Sequence, residues 1–396
     1  MKTHHVGVVG GGQLARMAGE AASELGLSMV VLAEHPDDAA CDVAAEVVIG
    51  SPLVESDLRA LAARCEVMTF DHEQVDLSLL RTLVAEGVVV RPGVATLEVA
   101  VDKAHMRRVL VAADIAGPAH IVVDLEESGP QKRAVEAIGA FATDHGWPVV
   151  LKAVRGGYDG KGVWPVNELA AAAEVVEHLR GSVLVEEMVP LRAELAIMVA
   201  RRPSGEAVAW PAVETAQVGG VCREVLVPGR LPPELMAEAV TLGQRVAGIV
   251  EAVGVLAVEL FWSTDGRLLV NEIAARPHNS GHWTIEGAVT SQFENHLRAV
   301  LDLPLGTTAL QHARVASVNI FGSAAGEDPV ALLPAGLAVP GAHVHLYGKE
   351  GRPGRKLGHV TVCGDDAGEV RSLAWAAALA MGTPRPDGLD LPTGSA

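Results

Sequence analysis

Apolar positions in the first hundred residues come in short runs separated by amphipathic stretches. His5–Val9, Ser28–Ala33, Val67–Phe70 and Val88–Val90 read as strands, and Gln13–Leu25 reads as a helix. Short apolar runs alternating with helical periods predict βαβ units and a parallel sheet. Asp102 then caps a helix carrying Lys103, Arg107 and Arg108, and Gly117-Pro118 punctuates its end. A second module over about 118–185 holds a helix near Arg133–His145, a strand Val149–Val154, a glycine-rich turn at 156–162, a helix Glu168–Arg180 and a strand Ser182–Glu187. From about 188 the pattern becomes largely β, with strands near 194–201, 206–213 and 221–227. A helix over Glu234–Val253 and a hairpin over 255–273 follow. The tail from about 312 reads as β with one Ala-rich helix, and 384–396 reads as frayed. No internal repeat is visible.

A length of 396 residues exceeds one compact core and predicts two or three domains. Apolar residues make up 49% and charged ones 20%, which excludes a disordered or coiled-coil chain. Acids outnumber bases 49 to 31, and aromatics are only 3%. That surface repels nucleic-acid backbones and anionic membranes and offers few stacking platforms, so neither is an expected partner. The four cysteines, Cys41, Cys65, Cys222 and Cys363, form no Cys-x-x-Cys pair, which fits a reducing compartment. MKTHHVGVVGGG reaches glycine too soon for a signal peptide, and the charge-free stretch 329–348 is broken by Pro334, Pro340, His343 and His345. A soluble cytoplasmic protein is expected.

Gly10-Gly11-Gly12-Gln13-Leu14-Ala15 fits G-x-G-x-x-A between a strand and a helix, and Glu34 ends the next strand. Taken alone this suggests a dinucleotide dehydrogenase. Any doubly wound sheet whose first helix meets an anion needs the same glycines, so the preferred reading is a phosphate of some other ligand on the helix dipole. Between 156 and 162 four glycines stand in seven residues, with Lys152, Arg155 and Lys161 close by. Backbone N–H groups bare of side chains can wrap a polyphosphate, and the alternative is a flexible hairpin tip. Neither Gly-Lys pair continues as a Walker A motif, so a nucleotide here would lie under a mobile lid.

Residues 255–262 and 267–273 flank Asp265-Gly266, which favours a two-residue type I′ connection. That register pairs Thr264 with Arg267 and sets Glu259 opposite Glu272. Facing carboxylates repel unless a cation lies between them, and two hard oxygen ligands suit Mg²⁺. Asn271 could add another oxygen if the strand end bends. The alternative is two acids on a solvated face, since a slip of one residue would separate the pair. Next come Arg276-Pro277-His278-Asn279-Ser280-Gly281-His282, where Pro277 and Gly281 argue against a helical zinc pair and a substrate-binding loop is the better reading. Lys349, Arg352, Arg355 and Lys356 stand in a basic segment over 347–356, which reads as a phosphate clamp or a basic surface loop.

"GGGQLARM" at 10–17, "TFDHE" at 69–73, "GGYDGKG" at 156–162, "VEEMV" at 185–189, "NEIAARPHNSGHW" at 271–283, "SQFENHLRAV" at 291–300 and "GRPGRKLGH" at 351–359 run in order along the chain. Together they resemble the ATP-grasp superfamily and, within it, the N5-carboxyaminoimidazole ribonucleotide synthases of purine biosynthesis. The resemblance implies an α/β fold of three domains: a doubly wound pre-ATP-grasp domain over 1–105, an α+β lid subdomain over 106–187, and a larger α+β domain over 188–396. It implies Arg107 and Lys152 on ATP phosphates beneath Gly157, Tyr158, Asp159, Gly160, Lys161 and Gly162. Glu186, Glu187, Met188 and Val189 would form the adenine hinge, and Glu194 would bind the ribose. Glu259 and Glu272 would hold Mg²⁺, or Mn²⁺ in its place, with Asn271 alongside. For aminoimidazole ribonucleotide the implied contacts are Gly12, Gln13, Leu14, Glu73, Tyr158, Asp159, Arg276, His278, Lys349, Arg355 and Lys356. Among these, Asp159, Tyr158, Arg276 and His278 would attend the chemistry. Bicarbonate would be the third substrate, and a homodimer the assembly. Two departures stand out: Gln217 where the family commonly has histidine near ATP, and Asp71-His72 where it often has Glu-Phe. A sister ligase, formate-dependent glycinamide ribonucleotide transformylase, would share the lid and the acidic pair.

Overall fold

The computed structural model describes residues 5–125, 131–157 and 160–391. Tyr158 and Asp159 therefore lie outside the described residues. The first layer is a parallel sheet in the spatial order Glu46–Ile49, Ser28–Ala33, His5–Val9, Val67–Phe70. His5–Val9 and Ser28–Ala33 are almost continuously apolar because helices cover both faces. Helix Gln13–Glu24 buries Leu14, Ala15, Met17, Ala18, Ala21 and Ala22. The strand expected at Val88–Val90 shrinks to one parallel bridge, Met68 to Val90. The chain turns at once through Gly93 into the helix Val94–Val101, which leaves no length for a ladder. Glu46–Ile49 is an edge strand beyond those expected, although Val47-Val48-Ile49 is a short apolar run; none of its residues is buried.

The second layer is antiparallel, in the order His120–Asp124, Ser182–Glu187, Val149–Ala153, Val163–Val166. Helices Gln131–His145 and Leu169–His178 cover it, burying Ile138, Phe141, Leu151 and Val185.

Nine antiparallel strands make the third layer, from Leu268–Ala274 and Gly254–Ser263 through Leu191–Arg201, Val213–Val218 and Val221–Val227 to Arg314–Phe321, Lys356–Gly364 and Ala342–Leu346, with Ala207–Ala209 beside Leu191–Arg201. The β-rich tail joins this sheet where Val221–Val227 pairs with Arg314–Phe321. The expected strand over 206–213 breaks after Ala209, where buried Trp210 and then Pro211 interrupt it, and a separate strand Val213–Val218 begins. The helix expected to reach Val253 is Pro233–Ile249, because Glu251 takes a φ of 49° just beyond it. Leu195, Ile197, Val199, Leu256 and Val258 from this sheet share one core with Leu80, Leu83 and Leu97 of the N-terminal unit. Thr69 Oγ1 and His296 Nε2, both buried and 2.8 Å apart, join the same two units by a polar contact.

Candidate active site

A cleft of 1170 Å³ opens where the three layers meet. The N-terminal unit supplies Gln13, Leu14, Asp71 and Glu73, and the second layer supplies Gly156, Gly157 and Gly160. The large sheet and its loops add Gln217, Glu259, Glu272, Arg276, His278 and Lys356.

Glu259 does stand opposite Glu272, but by a different route from the one the sequence suggested. Ser263 N donates to Arg267 O, and Gly266 N donates to Ser263 O, both at 3.0 Å. The connection is thus a three-residue loop closed by Gly266 at φ 91°, in place of the expected Thr264–Arg267 pair. Trp262 opposes Leu268 and Leu260 opposes Val270, one residue off the expected register. Asn271 then bulges between Leu260 and Glu259, and the extra residue restores the acidic pair.

Burial, then the charges of Glu272 and Glu194, push the Glu259 carboxyl well above its usual range. Burial also acts on Glu272, but the cations of Lys103 and Lys152 outweigh it and hold its carboxyl low. Lys103, at the start of helix Lys103–Ala112, forms an ion pair with Glu272 and lines the cleft. Among the described residues no group of three His, Cys, Asp or Glu side chains is spaced to hold a metal. Two crowded carboxylates, one resisting ionisation, nevertheless fit a divalent ion that takes its remaining oxygens from phosphate and water. They match Mg²⁺ in hardness.

Arg107 is placed differently from the expectation. It is 1% exposed, and its guanidinium donates to Glu186 Oε1 at 2.6 Å, Val270 O at 2.6 Å and Asn271 O at 2.8 Å. With its donors taken up in this way it is a buried strut, and Lys103 and Arg108 are the cations that this helix presents to the cleft. Lys152 Nζ lies 2.7 Å from Glu186 Oε2 and 2.9 Å from Asn271 Oδ1. Desolvation of Glu186 is outweighed by Lys152 and Arg107, so its carboxyl stays low. Glu187 accepts from Ala119 N at 3.0 Å, Met188 is exposed, and Val189 is buried. Burial raises the Glu194 carboxyl, opposed by Lys152.

The glycine lid begins with Gly156 at φ 77° and closes its stem through Ala153 N to Gly162 O at 2.8 Å. Lys161 O lies 2.8 Å from where a Cβ on Gly157 would be. Gly160 packs backbone to backbone on the Gly219-Gly220 turn, where a Cβ on Gly220 would lie 2.6 Å from Gly160 Cα. Gln217 stands at a bulge beside that turn and lines the cleft.

Across the cleft, Glu73 accepts from Arg276 Nε at 2.9 Å and from Ala275 N at 3.2 Å. His278 Nδ1 faces Ser280 Oγ at 2.8 Å, and its Nε2 lies 3.5 Å from Glu259 Oε1. Burial, then Arg276, lowers the His278 pKa to about 3, so its imidazole is neutral. Lys349 Nζ donates to Gln13 Oε1 at 2.5 Å, and Lys356 Nζ donates to Asn279 Oδ1 at 3.3 Å. Arg355 is exposed and donates to Glu350 O, outside the cleft wall.

The first helix already has an anion. Asp71 accepts from Gly12 N at 3.1 Å and Ala15 N at 2.7 Å, and a Cβ on Gly12 would lie 2.2 Å from its Oδ2. The expected ligand phosphate on that dipole is therefore replaced, at two N–H groups, by the chain's own carboxylate. Gln13 and Leu14 remain on the cleft wall. Sequence reasoning passed over Lys103 and Asp71 in this role; the residue position of Lys103, directly after the cap Asp102, was the available signal.

Three family models match: the ribonucleotide synthetase preATP-grasp domain over residues 1–101, the ATP-grasp domain over 127–293, and the phosphoribosylaminoimidazole carboxylase C-terminal domain over 316–373. The N5-carboxyaminoimidazole ribonucleotide synthase of Mycobacterium tuberculosis is 46% identical over 382 residues, covering 94% of this chain and 86% of its own. The Thermus thermophilus synthetase structure superposes with a TM-score of 0.85 at 36% identity, covering 97% of this chain and 100% of that one. An Aspergillus clavatus enzyme, solved with ADP and 5-aminoimidazole ribonucleotide, gives 0.86 at 30% identity, covering 96% and 99%. This chain belongs to the N5-carboxyaminoimidazole ribonucleotide synthase family of ATP-grasp ligases.

Proposed function

We propose that the cleft performs the family's reaction, the ATP- and bicarbonate-dependent carboxylation of 5-aminoimidazole ribonucleotide, with the following residue roles. Bicarbonate oxygen attacks the γ-phosphorus of ATP, and ADP leaves, giving carboxyphosphate. The ribonucleotide's exocyclic amine then bonds to the carboxyl carbon as phosphate departs, and the amine loses a proton. Glu259 and Glu272 would hold Mg²⁺, which would supply neutralisation of charge during the phosphoryl transfer. Lys103 and Lys152 add fixed positive charge to the same transfer, where positioning and electrostatics supply most of the catalysis. The 157–162 lid excludes water that would hydrolyse the intermediate. Glu186–Val189 cradle adenine and Glu194 the ribose hydroxyls.

Arg276, His278, Lys356 and Lys349 take the ribonucleotide, with Gln13, Leu14 and Glu73 on the opposite wall. Arg276 is aimed by Glu73, and neutral His278 donates from Nε2. On this reading Asp159 would orient the amine or accept its proton, and Tyr158 would be a further ribonucleotide contact. The protein works in the cytoplasm as a homodimer on this reading, which sedimentation of the purified chain checks.

The facing of Glu259 and Glu272 beside two lysines carries the reading. Purified protein given ATP, Mg²⁺, bicarbonate and the ribonucleotide should release phosphate only when all are present. Activity with formate and glycinamide ribonucleotide in their place would reassign the chain to the sister ligase.

A further inference from the structure

His282 lines the cleft wall yet is 1% exposed, and its Nε2 has no hydrogen-bond partner among the described residues. Its other nitrogen is spoken for. Gln292, fully buried at the start of helix Gln292–Val300, accepts from His278 N through Oε1 at 2.9 Å and donates from Nε2 to His278 O at 2.8 Å. Those two bonds fix which end of the amide is the donor. The same Nε2 lies 3.3 Å from His282 Nδ1, so Nδ1 is an acceptor and the ring hydrogen is on Nε2. The ring cannot swing away, held as it is between Phe293 at 5.8 Å and His359 at 5.0 Å between centroids. Gly281 leaves room for this arrangement, since a Cβ there would lie 2.4 Å from Gln292 Oε1.

A buried N–H without an acceptor costs roughly 1–3 kcal/mol, and native proteins keep few of them without a use. The nearby cleft residues Lys356 and Arg276 are cationic. We propose that His282 is a substrate-binding residue whose Nε2–H donates to an oxyanion oxygen beside Lys356, with Gln292 as the positioning residue that sets its tautomer. The inference rests on the proposed reaction, whose substrates offer two such oxyanions, the ribonucleotide phosphate and bicarbonate.

Initial rates of His282→Phe and His282→Gln separate the two. Phe keeps the ring packing and removes the donor, whereas Gln places an amide N–H near the former Nε2. In H282F the KM of one oxyanion substrate should rise about tenfold, the KM for ATP should stay within twofold, and H282Q should recover most of the loss. A rise for the ribonucleotide identifies its phosphate as the occupant, and a rise for bicarbonate identifies the carboxyl donor. Unchanged KM values for both, in a wild type that is active, overturn the inference and leave the reaction standing. An inactive wild type would instead count against the reaction. ¹⁵N spectra of histidine-labelled wild type give a readout that needs no turnover. His282 should show Nε2 protonated and Nδ1 bare, with the Nε2–H proton moving downfield on addition of inorganic phosphate or bicarbonate. A hydrogen on Nδ1, or no response to either anion, contradicts the assignment.

Discussion

Glu259 and Glu272 face each other because Asn271 is bulged out of the ladder between them and the turn. Without that extra residue the three-residue connection would leave the two acids a register step apart and on opposite faces. The bulge also aims the Asn271 side chain at Lys152. Replacing either acid by glutamine removes charge at the polyphosphate without changing shape. Glu259→Gln and Glu272→Gln should each lower kcat/KM for ATP by about a hundredfold or more and raise the Mg²⁺ concentration needed for half-maximal rate. Titration of activity with Mg²⁺ measures both.

Lys103 and Arg107 share a helix but should fail differently. Lys103→Met should cut turnover by roughly tenfold or more with melting unchanged, because it removes a cation from the cleft wall. Arg107→Met strands part of a buried ion pair with Glu186 and two carbonyls, and should cost about 3–5 kcal/mol of stability. Parallel thermal melts and initial rates distinguish them. Equal melting temperatures for the two variants would contradict the buried-strut role.

The contact of Gly160 with Gly220 gives the lid a seat that only glycine permits. Gly220→Ala places a methyl 2.6 Å from Gly160 Cα on a residue at φ 75°, so the lid should seat poorly. ATP hydrolysis should then outrun carboxylation, and the ratio of phosphate to carboxylated product should climb above one. A ratio that stays at one would show that this turn does not hold the lid.

His296 makes stability depend on acid. It accepts from Val255 N at 3.0 Å, and burial lowers its pKa to about 3 from an ordinary 6.5. The folded state binds fewer protons than the unfolded one between those values, so stability is full above about pH 6.5 and is lost as pH falls toward 3. The slope from this one group is about 1.4 kcal/mol per pH unit. Denaturant melts of the wild type and His296→Gln across this range should differ in slope by about that much.

Much of this was legible in the sequence. The strands Ser28–Ala33 and Val67–Phe70 begin and end where nearly unbroken apolar runs do, because burial on both faces writes itself as a continuous run, whereas Ser182–Glu187 and Val221–Val227 include Glu186-Glu187 and Arg223-Glu224. The edge strand Glu46–Ile49 carries the short apolar run Val47-Val48-Ile49 and was nonetheless passed over. At the site, the facing of the two acids was legible while its cause was not, since a loop and a bulge each one residue off cancel one another. Charge alone could not tell Lys103 from Arg107 on one helix, as side-chain direction and the acceptors around it decide which is a strut. Nor could it reveal that Asp71 would occupy the first helix's N–H groups, a contact between residues 56 apart in sequence.

The most direct test supplies ¹³C-bicarbonate, ATP, Mg²⁺ and 5-aminoimidazole ribonucleotide to the purified protein and follows labelled product and ADP together. The account predicts one labelled N-carboxylated ribonucleotide per ADP, no ADP without the ribonucleotide, and neither product from Glu272→Gln at the same Mg²⁺ concentration. ADP formed at the full rate in the absence of ribonucleotide, or label that never enters it, would contradict the account.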